Sequence, residues 1–143
     1  MEFMIHDRYV GEGHPVFVVA ELSANHLKSF DVAVNTLEAM KDAGADAVKI
    51  QTYTPDTITI DCDSAYFQIK DGTIWDGKTL HQLYEEAYMP WEWQPRLKEM
   101  ADKLGLILFS TPFDYSAVDF LEKMEVPAYK VASFEITDIP LIG

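Results

Sequence analysis

Ala47-Val48-Lys49-Ile50-Gln51-Thr52-Tyr53 is the stretch that decides the fold, because it sets a charge and an amide inside a run that otherwise belongs to a core. Gly44-Ala45-Asp46 before it and Thr54-Pro55-Asp56 after it are turn-forming, which bounds a strand. Side chains alternate along a strand, so Val48, Ile50 and Thr52 share one face, while Ala47, Lys49, Gln51 and Tyr53 share the other. A core strand has no use for a lysine and a glutamine two residues apart. Near the carboxyl end of a strand that follows a helix, they mark a site.

Working outward, the same arrangement repeats. Val16–Leu22 is a nearly continuous apolar strand ending beside Glu21, the pattern of a strand covered on both faces. A loop, Ser23–His26, leads to a helix over about 29–43, with Ser29 as N-cap and Gly44 as stop. After the Ala47 strand comes a long insertion, about 54–90, with a helical stretch near Leu80–Ala87; loops of that length are usually functional. Its aromatic residues (Tyr66, Trp75, Tyr84, Tyr88, with Trp91 and Trp93 beyond) roof a pocket or, the favoured reading, pack outer helices. Pro90 opens a helix over about Trp91–Leu104, which Gly105 stops. Leu106–Ser110 is a third strand running into Thr111-Pro112-Phe113, and Ser116–Met124 is a third helix. Pro127–Ser133 reads as a fourth strand ending at Phe134-Glu135, whereas Met1–Val10 shows no clear periodicity.

Four strand–helix alternations predict an α/β fold with parallel strands. Polar residues gather after each strand: Glu21 and Asn25, Lys49 and Gln51, Ser110 and Thr111, then Lys130, Ser133 and Glu135. In a (β/α)8 barrel of the TIM type that is the catalytic face. In a doubly wound sheet it is the crevice at the strand ends, but no Gly-x-Gly-x-x-Gly follows the first strand and no Walker A loop is present. The barrel is favoured. Four units are half of eight, so residues 1–143 are read as the N-terminal half of such a barrel.

Charge and composition narrow the function. Across 143 residues, 11 Lys and Arg face 24 Asp and Glu, a net charge of −13, which argues against sequence-independent nucleic-acid binding and against an anionic membrane surface. An anionic small substrate remains possible, since two lysines in a cleft outweigh a distant acidic surface. The single Cys62 rules out an internal disulfide framework, and with no signal-like or membrane-length apolar run the expected location is the cytoplasm.

Lys49 and Lys130 are the sharpest candidates, each in an apolar strand context where a buried ammonium is costly unless it meets an anion. Three readings stand: together they hold a phosphate or carboxylate, they form structural ion pairs with Glu21 and Glu135, or one of them forms a Schiff base. Thr111 and Ser133 offer hydroxyl donors suited to phosphate oxygens, though each could equally cap the next helix. Glu21 is a candidate base or sugar contact, and His26 is read as a polar loop residue before a metal ligand. No His-x-x-x-His, Cys-x-x-Cys or calcium-loop spacing occurs, so no self-sufficient metal site is expected in this chain.

Val18-Val19-Ala20-Glu21-Leu22-Ser23-Ala24-Asn25-His26, Gly44 through Tyr53, Phe109-Ser110-Thr111-Pro112-Phe113 and Pro127 through Glu135 together resemble the sialic acid synthase family. Glu-Leu-Ser-Ala-Asn-His, Gln-Thr-Tyr-Thr-Pro-Asp-Thr and the Ile74-Trp75-Asp76…Leu83-Tyr84 segment look most like its pseudaminic acid branch. The resemblance implies a (β/α)8 barrel followed by an antifreeze-like domain, both continuing beyond this chain, and a homodimer. It implies condensation of phosphoenolpyruvate with an open-chain acetamido sugar, with a divalent metal (Mn2+, or Mg2+ or Co2+) held by histidines outside this chain.

Carried over by motif, Lys49, Lys130, Thr111 and Ser133 would hold phosphoenolpyruvate, and Glu21 and Gln51 would contact the sugar. Glu135 would handle a proton, while Asn25 and His26 would shape the first loop. The chain by itself is then expected to be inactive. Two rivals remain: a Schiff-base barrel aldolase, which borohydride trapping with pyruvate would reveal, and a non-catalytic half-barrel that self-associates through open strand edges.

Overall fold

A computed structural model of the chain describes residues 2–143. It begins with an antiparallel hairpin, β1 (Glu2–Ile5) and β2 (Arg8–Gly11), in the stretch for which no periodicity was read. Ile5 pairs with Arg8, so the loop is His6-Asp7, with His6 at φ 56°. Two-residue hairpin loops favour Asn-Gly or Asp-Gly, so His-Asp gives no turn signature.

A parallel sheet of order β3-β4-β5 follows, made of Val19–Glu21, Ala47–Thr52 and Ile107–Pro112. Its crossovers carry α1 (Phe30–Asp42) between β3 and β4, then α2 (Pro55–Ile58), α3 (Leu80–Ala87) and α4 (Gln94–Leu104) before β5. The helix expected over 91–104 divides: Trp91–Trp93 is a 3-10 turn and α4 begins at Gln94, with Pro95 in its first turn, where a missing N–H costs nothing. α5 (Tyr115–Lys123) and a short α6 (Ile139–Ile142) complete the chain.

Local chemistry accounts for these boundaries. Ser29 caps α1 by accepting from the Val32 amide at 3.4 Å, and Asp114 caps α5 by accepting from Ser116 and Ala117. Thr79 and Gln82 form a reciprocal capping box at α3. Gly105 ends α4 at φ 67°, the left-handed conformation that glycine adopts without steric cost.

The expected fourth strand is corrected. Across Pro127–Ser133 only Tyr129 pairs with β5, through one parallel bridge to Ser110, and the Lys130 amide donates to the Ser110 carbonyl at 3.0 Å. Glu135 does not close a strand but opens a 3-10 turn, Glu135–Thr137. Among the described residues no further strand lies beside it, so the segment has one neighbour to pair with.

The core lies between one face of the sheet and the helices. Val48, Ile50 and Leu108 pack with Leu22, Ala33, Leu37, Leu97 and Ala101, all buried. Asp46, just ahead of β4, holds the lower ends of the strands together. Its carboxylate accepts from the Val18 amide at 2.8 Å and from Arg8 of the hairpin at 2.6 Å. Its backbone donates to the Val18 carbonyl at 2.9 Å and accepts from the Ile107 amide at 3.1 Å.

Candidate functional site

β4 distributes its side chains as alternation requires. Val48, Ile50 and Thr52 are wholly buried on the helix side, and Lys49 and Gln51 stand on the other face. Ala47, on the Lys49 side, is also buried, and Tyr53 leaves the strand to lodge between Tyr84 and Phe113, with centroids at 5.6 and 5.4 Å. Burial pushes the Tyr53 phenol up to about 12, so it stays neutral there.

Register then assembles the site. Glu21 pairs with Lys49, Lys49 with Phe109, and Gln51 with Thr111, so these side chains line one face across three strands. Lys49 Nζ donates to Glu21 Oε1 at 2.5 Å; the lysine side chain is 13% exposed and the glutamate 44%. An ammonium has three donors, and this is its single hydrogen bond among the described residues. Ser23, in the loop after β3, donates to Gln51 Oε1 at 3.4 Å. The Thr111 hydroxyl is buried with no hydrogen-bond partner among the described residues, as is Glu135 Oε2. Buried polar atoms are normally paired, so an orphan hydroxyl beside a lysine and an amide is an unused donor.

The other candidates are looser. Tyr129 pairs with Ser110 on the helix side, where its hydroxyl donates to Glu122 of α5. Lys130 follows the bridged Tyr129, and its amide donates to the Ser110 carbonyl at 3.0 Å. Lys130 is exposed and makes no ion pair with Glu135 among the described residues, so the expected structural pairing forms for Lys49 but not for Lys130. Asn25 and Ser133 are exposed as well.

His26 differs from the polar loop residue read from sequence: it is 1% exposed, edge-on to Trp93 at 5.7 Å. Its Nδ1 accepts from the Lys28 amide at 3.1 Å, and its Nε2 is buried without a hydrogen-bond partner among the described residues. Burial, then the nearby Lys28 charge, hold its pKa below the usual histidine value. The insertion aromatics mostly pack: Trp91 tilts onto Phe120 and donates to the Tyr53 carbonyl at 2.9 Å, Trp93 meets Phe30, and Lys28 sits over Tyr88 at 3.3 Å. Tyr66 is the exception, at 94% exposed.

One support of the site escaped the sequence reading. Thr52 Oγ1 donates to Gln94 Oε1 at 2.8 Å and lies 2.7 Å from Ser110 Oγ, and Gln94 Nε2 donates to the Gln51 carbonyl at 3.4 Å. Thr52, Ser110 and Gln94 are all fully buried. The available signal was Gln94 itself, a polar residue at helical spacing with Leu97 and Ala101 on the buried stripe of α4.

Among the described residues no group of three or more His, Cys, Asp or Glu side chains could hold a metal ion. The described residues do not fit a metal ion by themselves. No helix among them is long and apolar enough to cross a membrane.

Comparison with known proteins bears on this geometry. The sequence model described as NeuB family matches residues 36–143, which include β4, β5 and the segment carrying Lys130 and Glu135. The chain belongs to the NeuB family. The pseudaminic acid synthase of Campylobacter jejuni is 49% identical over 123 residues, covering 86% of this chain and 36% of that protein. The pseudaminic acid synthase of Helicobacter pylori is 48% identical over 128 residues, covering 90% and 37%. The crystal structure of the N-acetylneuraminic acid synthetase of Leptospira borgpetersenii, in complex with citrate, superimposes with TM-score 0.80 at 26% identity. It covers 99% of this chain and 45% of that one. This NeuB-family chain thus has the α/β fold of the sialic acid synthases over a part of the barrel, and spans little more than a third of the curated relatives it matches.

Proposed function

We propose that this chain forms the phosphoenolpyruvate-holding wall of a nonulosonic acid synthase of the pseudaminic acid type. Lys49 carries the reading: a largely buried ammonium with one partner, on the open face of a parallel sheet, beside the unpaired Thr111 hydroxyl. A phosphate or carboxylate oxygen would accept from both donors, and an anion in a partly dry site gains more from them than it would in water. Lys130 and Ser133 would approach from the neighbouring segment.

In the proposed reaction C3 of phosphoenolpyruvate bonds to the aldehyde carbon of an open-chain acetamido sugar. Positive charge then develops at C2, water adds there, and phosphate leaves with its bridging oxygen. Glu21 and Gln51 would hold the sugar, with Glu21 drawing Lys49 to one side of the site. Glu135, whose Oε2 lacks a partner, would take or return a proton near the reacting carbons. The relatives' names support synthase chemistry, and the single cysteine fits a reducing cytoplasm.

The Lys49–Glu21 contact also supports a second reading, in which Lys49 is only structural. Calorimetric titration of the chain with phosphoenolpyruvate separates the two. Loss of one charge-assisted hydrogen bond costs about 1.5–3 kcal/mol, so Lys49→Ala should weaken binding at least tenfold. Equal binding by Lys49→Ala and the parent chain would leave Lys49 structural, and no binding by the folded chain would refute the claim that this part holds the anion unaided.

A further inference from the structure

The loop between Glu21 and α1 is held in an unusual shape. Ser23, Leu27 and Lys28 all have left-handed backbones, at φ 49°, 50° and 51°, and none is glycine. Such residues cost of order 1–3 kcal/mol each and persist only where their surroundings over-determine them. Leu27 is 80% exposed, so packing of its own side chain does not hold it. What the loop does have is His26, buried under Trp93, whose Nδ1 accepts the amide hydrogen of Lys28, while the Ser29 amide donates to the His26 carbonyl at 2.9 Å.

An Nδ1 that accepts carries no proton, so the ring is neutral with hydrogen on Nε2. That Nε2 makes no hydrogen bond at normal geometry, the Ala87 carbonyl of α3 being the polar group turned toward it. We propose that His26 is a proton-sensitive latch. As the neutral Nε2–H tautomer it fixes the left-handed Leu27–Lys28 pair. A second proton would turn Nδ1 from acceptor to donor, break the Lys28 contact and release the loop that carries Ser23 to Gln51.

The charged surroundings are consistent with this. On its own loop the ring faces Lys28, whose ammonium donates to the Tyr88 carbonyl at 2.6 Å. Glu85 of α3 and Glu92 of the 3-10 turn act on Lys28 and partly offset its charge. Trp93 and Phe30 present aromatic surface, with Arg96 of α4 stacked 4.0 Å above Phe30. No carboxylate hydrogen-bonds the ring among the described residues, and the one group there that favours its protonation, the Ala87 carbonyl, is outweighed by burial and by Lys28.

The link to ligand binding rests on the proposed function; the latch itself does not, and two measurements keep them apart. In the chain labelled with 15N-histidine, His26 should show an unprotonated Nδ1 at pH 7.5. Below pH 6.5 the Lys28 and Ser29 amides, which donate to His26 Nδ1 and to the His26 carbonyl, should lose protection, corrected for intrinsic exchange, by up to about tenfold per pH unit. His26→Asn sets an amide where Nδ1 stood and cannot titrate, so its loop should be protected and insensitive to pH. An Nδ1–H tautomer, pH-independent protection in the parent chain, or the same acid loss in His26→Asn would each overturn the latch; the tautomer measurement needs no variant to fold.

Calorimetry with phosphoenolpyruvate then tests the coupling. The parent-to-variant affinity ratio, in which the ligand's own ionisation cancels, should fall as pH drops through the opening. A flat ratio would refute the coupling, and no binding at any pH by either protein would refute the proposed function while the exchange data still decide the latch.

Discussion

Replacing Thr52 by valine tests the buried hydrogen-bond chain under the site. Thr52 has one hydroxyl proton, and it goes to Gln94 Oε1, so the 2.7 Å contact with Ser110 must be Ser110 donating to Thr52. The chain therefore has a direction, from Ser110 to Thr52 to Gln94 to the Gln51 carbonyl. Thr52→Val conserves shape and orphans two groups at once, the Ser110 hydroxyl and Gln94 Oε1. All three residues are 0% exposed, so water does not reach them. Each orphan costs about 1–3 kcal/mol, and the added methyl returns about 0.8 kcal/mol, for a net loss of about 1–5 kcal/mol. Urea unfolding followed by tryptophan fluorescence reads this as a lower midpoint at unchanged slope. The sharper test adds Ser110→Ala to Thr52→Val. Removing the orphaned donor should recover about 1 kcal/mol, so the double variant should be more stable than the single one. Simple addition of two losses would refute the Ser110–Thr52 hydrogen bond.

Further expectations concern other parts of the fold. Gly105→Ala meets only Lys41 Nζ, at 3.6 Å, so its cost is the left-handed backbone alone, about 1–2 kcal/mol by urea unfolding. Leu37→Ala, fully buried between α1 and the sheet, should cost about 2–5 kcal/mol in the same assay. The Asp46 carboxyl is held below its ordinary value, first by the Val18 amide and then by Arg8, so the folded state binds its proton less readily than the unfolded one. Its stabilisation is therefore complete above the ordinary carboxylate value and is lost as pH falls through the lowered one. Hydrogen exchange of the hairpin amides should report this loss at low pH, and Asp46→Asn should show it already at neutral pH.

Much of this was readable from residues. The alternation of Val48, Ile50 and Thr52 against Lys49 and Gln51 follows from a strict period of two, and Ser29, Gly44 and Gly105 bound their helices by local chemistry that needs no tertiary context. Two elements were not readable, for different reasons. The hairpin over Glu2–Gly11 turns on His6-Asp7, and Phe3, Met4 and Tyr9 are half exposed, so neither a turn signature nor a buried face reveals it. The Pro127–Ser133 segment has a strand's composition, but its pairing depends on neighbours, and β5 supplies one at a single position. The site was legible as residue types and not as contacts. Nothing in the sequence shows that Thr111 lacks a partner, that Gln94 reaches under β4, or that His26 is buried, because each depends on elements brought together from separate parts of the chain.

Asp46 sits at the opposite end of β4 from the chemistry, yet it acts as the origin from which the strand is counted. It is tied at once to Val18, Ile107 and Arg8, and so aligns the start of three strands and the hairpin to a single residue. Because strand faces alternate, the parity of the count from that origin decides whether position 49 meets the open face or the helices. An insertion of one residue between Asp46 and Lys49 would leave composition, charge and length almost unchanged while driving the ammonium into the core. The chemical identity of this face is thus an odd-or-even property, kept by a carboxylate that never needs to meet a ligand.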